Sequence, residues 1–184
     1  MSTRGRLNRR NFLGTAAVSM TALSAKRVLG ANDRLGFGVI GVGGRGFGAH
    51  AAAIDKLKEE GMNVAVVAVC DAYRPRMLKA IERYEAKGYM KYQELLSDPN
   101  VDIVTIATPD HQHGYQAIDA VRAGKDVYCE KPVTHWRQFD LTKRLAQEVK
   151  KSGRVFQLGS QGMSDGAWSL MKKLVQDGQI GQPI

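Results

Sequence analysis

No stretch of this sequence stays apolar for long enough to cross a bilayer. The uncharged segment that comes nearest, Phe12 to Ala25, has 14 residues, where a spanning helix needs about 20. No stable membrane anchor is therefore expected. Cysteine is scarce as well: the chain has two, Cys70 and Cys129, each inside an apolar run. That excludes a disulfide-stapled scaffold and a thiolate-rich zinc site, and both are read as buried thiols. His111 and His113 in "HQH" lack further ligands at metal-binding spacing, so no metal is expected. There is no internal repeat and no low-complexity tract. Acidic residues are missing from one place only. Residues 1–31 carry Arg4, Arg6, Arg9, Arg10, Lys26 and Arg27 and no Asp or Glu, which is six of the formal +9 net charge. The rest of the chain holds a modest +3, which gives no reason to invoke nucleic acid.

That basic opening reads as an address. A charged stretch, "STRGRLNRRNFLG", leads into the uncharged segment, the layout of an export signal. "NRRNFLG" resembles the bacterial twin-arginine signal, with Arg9 and Arg10 paired ahead of Phe12 and Leu13. Asn8 and Gly14 are mild departures from it. Cleavage after Ser24 or near "VLGA" would release the mature chain, and an amphipathic N-terminal helix is the alternative. The expected organisation is a signal peptide over 1–31, a folded domain over 32–184, and a protein exported to the periplasm or beyond the cytoplasm.

From Asn32 onward, what is present is alternation. "LGFGVIG", "NVAVVAVCD", "VDIVTIATPD", "DVYCE" and "RVFQLGS" read as strands. The near-continuous apolar character of the longer ones suits strands covered on both faces. Between them lie helical patterns. One has Phe47, Ala51, Ile54 and Leu57 on one face and Gly61 as a stop. A second has Pro75 near its start and Gly88 after its end. A third is closed by Gly124, and a fourth has Leu141, Leu145 and Val149 aligned. A short strand and a helical turn or two occupy "YMKYQELLSDPN", and a last helix "DGAWSLMKKLVQDG". Strands alternating with helices predict an α/β fold: a doubly wound parallel sheet of the Rossmann dinucleotide-binding type.

The first strand runs into Gly41-Val42-Gly43-Gly44-Arg45-Gly46, a match to G-x-G-x-x-G. Between a strand and a helix each glycine has a task. Gly41 allows the tight turn, Gly43 admits a pyrophosphate against the backbone, and Gly46 lets helix and strand pack closely. Gly44 and Arg45 complete the loop, and the helix N-terminus supplies N–H groups to phosphate. The second strand ends at Asp71, 25 residues after Gly46 and near the expected ~20, where an acid binds the ribose hydroxyls of NAD and repels the extra phosphate of NADP. Arg74, three residues later, would soften that preference. NAD is the expected cofactor, with NADP as the alternative. Asp71 as a helix N-cap ahead of Pro75 is the structural alternative.

In such sheets ligands lie beyond the carboxyl ends of the strands. There the chain carries "ATPDHQH" and "EKPVTHW". With the glycine loop, Ala107-Thr108-Pro109-x-x-x-His113, Glu130-Lys131-Pro132 and the closing "DGQIG", residues 32–184 resemble the Gfo/Idh/MocA oxidoreductases, which include glucose–fructose oxidoreductase and inositol dehydrogenases. The resemblance implies that Lys131 sits by the nicotinamide and assists a substrate hydroxyl, and that Thr108 and Pro109 lie along the cofactor. It also implies a cis bond before Pro132. Glu130 is expected to orient the lysine. His113 opens a helix, where it packs, caps or joins the site; His111 reads as a solvated loop residue. His135 and Trp136 line the mouth, or Trp136 is core. Gln157 and Gln161 are candidates to reach the nicotinamide amide.

The same resemblance implies a second α/β domain holding further catalytic groups, the sugar site and the oligomer interface. The 184 residues are therefore expected to be the N-terminal part of a longer, homo-oligomeric enzyme, inactive alone, that acts on a sugar, polyol or related small hydroxyl compound. Two alternatives stand beside the dehydrogenase: an NAD-assisted glycoside hydrolase of the same superfamily, and a stand-alone dinucleotide-binding module.

Overall fold

The computed structural model describes residues 34–181; the expected signal, 1–31, lies outside the described residues. Six parallel strands form one sheet in the order β3-β2-β1-β4-β5-β6. They are β1 (Leu35–Ile40), β2 (Val64–Cys70), β3 (Lys87–Tyr89), β4 (Ile103–Ile106), β5 (Asp126–Glu130) and β6 (Phe156–Gly159). The helices are α1 (Ala52–Glu59), α2 (Arg74–Tyr84), α3 (Tyr92–Leu96), α4 (Asp110–Arg122), α5 (Phe139–Ser152) and α6 (Gly166–Gln176). A π-helical turn, Gly46–Ala51, runs into α1, and a 3-10 turn, Gln161–Ser164, precedes α6. The doubly wound architecture is as the alternation predicts.

Two apolar clusters cover the two faces of the sheet. One gathers Ile40, Val104, Ile106, Val127 and Cys129 with Ile118 and Val121 of α4 and Leu145 of α5. The other gathers Val39, Val66 and Val69 with Ala51 and Ile54 on one helix and Met77 and Ala80 on α2. Successive strand side chains point to opposite faces, so β2 contributes Ala68 and Cys70 to one cluster and Val69 to the other. Buried apolar surface of this kind supplies most of the driving force, about 25 cal/mol per Å².

Two expected boundaries differ. Helix α2 ends at Glu85, in the left-handed conformation (φ 52°), so Gly88 is not its stop but the middle of β3. The "YMKYQ" segment therefore starts its strand earlier than expected, because β3 pairs with the end of β2, Lys87 opposite Ala68. The last helix, α6, is capped by Asp165, which accepts from Ala167 N–H at 2.8 Å, and buries none of its side chains. No helix among the described residues is long and apolar enough to cross a membrane.

Candidate dinucleotide site

The strand order reverses between β1 and β4. The crevice beyond their carboxyl ends holds two adjoining cavities, of about 690 and 390 Å³, which share Ala107 and Thr108 as a common wall. Gly41, Gly43, Asp71, Tyr73, Arg76 and Pro109 line the first. Arg45, Asp110, His113, Glu130, Lys131 and Gln161 line the second.

The glycine loop is built as its spacing requires. Gly41 has φ +85°, which favours glycine. A Cβ on Gly46 would fall on the carbonyl oxygen of Gly41, so strand and helix approach too closely for any side chain. Beside Gly43 the nearest atom to an added Cβ is Arg76 Nη1 at 3.7 Å, and around Gly44 nothing lies within 4 Å. The loop is thus bare backbone at the start of a helix, a cradle that fits a pyrophosphate.

Asp71 is held by main chain. Its Oδ2 accepts from Val42 N–H at 3.0 Å and its Oδ1 from Tyr73 N–H at 2.8 Å. It does not cap α2, whose N-cap is Tyr73; it ties the glycine loop to the end of β2 and faces the first cavity. The arginine lining that cavity is Arg76, stacked 5.6 Å over the Tyr73 ring. Arg74 was expected there, but the helix starts at Arg74 and brings Arg76 round to the cleft.

At the other end, α4 starts directly after Pro109. His113 is 2% exposed, with Nε2 2.6 Å from the Thr108 carbonyl and Nδ1 2.7 Å from the Pro132 carbonyl. Of the expected roles for His113, two are observed: it packs across the two loops after β4 and β5 and it lines the second cavity. Thr108 Oγ1 donates to Gln116 Oε1 at 2.7 Å. The Lys131–Pro132 peptide is cis. The Lys131 side chain lies in the exposed rim of the second cavity, and its ammonium has no ion pair or hydrogen bond among the described residues.

Glu130 does not orient that ammonium, contrary to expectation. Its carboxylate turns back under the glycine loop. Oε1 accepts from Arg45 Nε at 2.6 Å and pairs with His50 Nε2 at 2.9 Å. Only the backbone N–H of Lys131 reaches it, at 3.3 Å to Oε2. Burial alone would push the Glu130 carboxyl up; the hydrogen bonds from His50 and Arg45 and their charges outweigh it and hold it below the ordinary range. Arg45, expected on the cofactor, is here the counter-ion of Glu130.

The remaining candidates sort themselves. Gln161 lines the second cavity, whereas Gln157 lies exposed on β6 opposite Tyr128. Trp136 is 76% exposed under Arg137 and is not core. His111 is exposed on the first turn of α4, not in a loop. His50, Tyr73, Arg76 and Gln116 join the site without any sequence signal. Among the described residues no group of three His, Cys, Asp or Glu side chains is placed to hold a metal.

A family model described as an oxidoreductase family with an NAD-binding Rossmann fold, GFO_IDH_MocA, matches residues 35–160. The chain belongs to this family. An inositol 2-dehydrogenase of Salmonella paratyphi B is 32% identical over 149 residues, covering 80% of the chain and 43% of that protein. The structure of myo-inositol 2-dehydrogenase from Lactobacillus plantarum matches with TM-score 0.72 and 28% identity, over 83% of this chain and 44% of that one. The WlbA dehydrogenase from Bordetella pertussis, in complex with NADH and UDP-GlcNAcA, matches with TM-score 0.72 and 25% identity, over 79% and 42%. The chain thus spans less than half the length of these relatives.

Proposed function

We propose that the chain is the dinucleotide-binding part of an exported, NAD-dependent dehydrogenase that oxidises a hydroxyl of a polyol or sugar. The observation that carries this is the continuous crevice across the strand-order switch. It runs from an acid fixed for ribose, past a side-chain-free glycine cradle, to an unpaired ammonium at Lys131. The inositol and sugar-nucleotide dehydrogenases among its relatives support the substrate class. Bound NAD supplies the hydride acceptor. The chain's own residues do the rest. Asp71 accepts from ribose hydroxyls and favours NAD over NADP. The cradle and its helix N-terminus neutralise the pyrophosphate. Lys131 donates a hydrogen bond to the substrate hydroxyl oxygen, while Pro132, fixed from behind by His113, sets its direction; the hydroxyl proton would leave to water or to a base of the further domain.

The twin-arginine pattern at Arg9 and Arg10 supports export, and a route that carries folded proteins would let the cofactor be loaded before transport. Substrate contacts and a homo-oligomer interface would come from a further domain like that of the longer relatives. The test is titration of the purified protein with NAD and NADP. Saturable binding that is tighter for NAD is expected; no saturable binding of either would overturn the reading.

A further inference from the structure

His50 belongs to no sequence motif, yet its side chain is 6% exposed and its Nε2 meets the Glu130 carboxylate. Because that carboxyl is ionised and only accepts, Nε2 carries the hydrogen. The opposite nitrogen, Nδ1, is buried with no partner among the described residues. The ring also borders a third, more apolar cavity with Phe37, Ile54 and Leu57, which shares Arg45 and Gln161 with the second, and Tyr128 stands edge-on to it at 5.2 Å. Among the described residues Glu130 is thus the single hydrogen-bond partner that aims the imidazole, and Tyr128 sets its plane. The π-helical turn Gly46–Ala51 delivers His50 to this position. Such turns are rare and concentrate at functional sites.

One carboxylate therefore ties three segments: the glycine loop through Arg45, the turn behind it through His50, and the strand end that carries Lys131. A buried carboxylate paired in this way is a poor route to stability, since apolar side chains of like volume do as well or better. What it supplies is registry between two loops. Arg45 is 45% exposed on the cleft side, so it can turn towards a phosphate. His50 and the Lys131 backbone N–H then remain to hold Glu130, with His50 the nearer of the two.

We propose that His50 is a positioning residue for the dinucleotide. Through Glu130 it keeps the glycine loop and the Lys131 strand end at the spacing one dinucleotide spans. This rests on the dinucleotide reading of the cleft. The test is calorimetric titration of NAD and of AMP, which reaches only the Asp71 end and the loop, into the wild-type protein, His50→Leu and His50→Gln. In His50→Leu the Kd for NAD should rise about tenfold, the loss of roughly one charge-assisted hydrogen bond, while the Kd for AMP stays within about twofold. His50→Gln keeps a donor near Glu130 and should recover most of the NAD affinity. Should His50→Leu fail to fold, Glu130→Gln, which preserves volume, must show the same NAD-selective loss. Unchanged NAD affinity, or equal loss for NAD and AMP with no recovery in His50→Gln, overturns the proposal while leaving the dinucleotide site intact. A wild-type protein that binds neither ligand removes the dinucleotide reading and this proposal with it.

Discussion

At the Asp71 end of the cleft the carboxylate is fixed by the main-chain N–H groups of Val42 and Tyr73. At the Lys131 end the Glu130 carboxylate is fixed by the side chains of Arg45 and His50, 85 and 80 residues away in sequence. The first arrangement follows from local backbone shape and survives most side-chain changes nearby. The second exists only once the sheet has brought β5 beside the glycine loop. One end is therefore robust to substitution, and the other can be tuned or broken by single side chains.

The largest expected effect removes the feature both ends share. In Gly46→Ala the new Cβ meets the Gly41 carbonyl oxygen, backbone that cannot step aside. Overpacking of this kind costs about 3 kcal/mol, to be read from the urea midpoint, and NAD binding should be lost at both ends alike. His113→Ala acts on the Lys131 end alone. It removes the ring that lies between the Thr108 and Pro132 carbonyls and joins the two loops. A loss of about 2 to 3 kcal/mol is expected, with AMP binding retained. If AMP binding falls as far as NAD binding, the two ends are not separable.

Asp71→Asn is the mirror experiment. The amide keeps one acceptor, sets its NH2 against the other backbone N–H and loses the charge, so folding stability should fall by about 1 kcal/mol. NAD affinity should fall about tenfold, about 1.4 kcal/mol, and the preference over NADP should shrink. Smaller still is an acid effect from Glu130. Its carboxyl is held below the model-peptide value of 4.5 in the folded chain. Its contribution is therefore complete above that value and is lost as pH falls through the lower, folded one. Arg45 is partly exposed, so screening keeps this contribution modest. Glu130→Gln should flatten the low-pH limb of a stability-against-pH curve; an unchanged limb would mean that other carboxylates dominate it.

The same contrast explains what could be read in the sequence. The glycine loop, Asp71 and the strands flanking them were legible because turn chemistry and apolar runs are local. Thr108, Pro109, Lys131 and Pro132 were legible as motif residues at strand ends. The partners of Glu130 were not. Nothing in "GRGFGAH" marks His50 as its ligand, because that pairing depends on a π-helical turn and on strand order. Arg76 was missed in favour of Arg74 for a similar reason: two residues of helix rotate a side chain into the cleft or out of it. Trp136, read as site mouth or core, is exposed because the loop after Pro132 leaves the sheet before α5 begins.

The smallest expected effect is no reaction at all, and it compares the two ends directly. Cys70 closes β2 just before Asp71, and Cys129 precedes Glu130 on β5. Burial first, and then the neighbouring acid, push both thiols up to about 12. Strands β1 and β4 stand between β2 and β5 in the sheet, so no disulfide can join the two, even in an oxidising compartment. In the native protein neither thiol should react with iodoacetamide at neutral pH, because the thiolate is the nucleophile. Slow labelling would then report local opening, with each cysteine a monitor of its own end. If backbone anchoring makes the Asp71 end the firmer one, Cys129 should label before Cys70 as denaturant is raised towards the midpoint. His50→Leu should advance Cys129 alone, whereas joint labelling of both thiols would show that the two ends open as one unit.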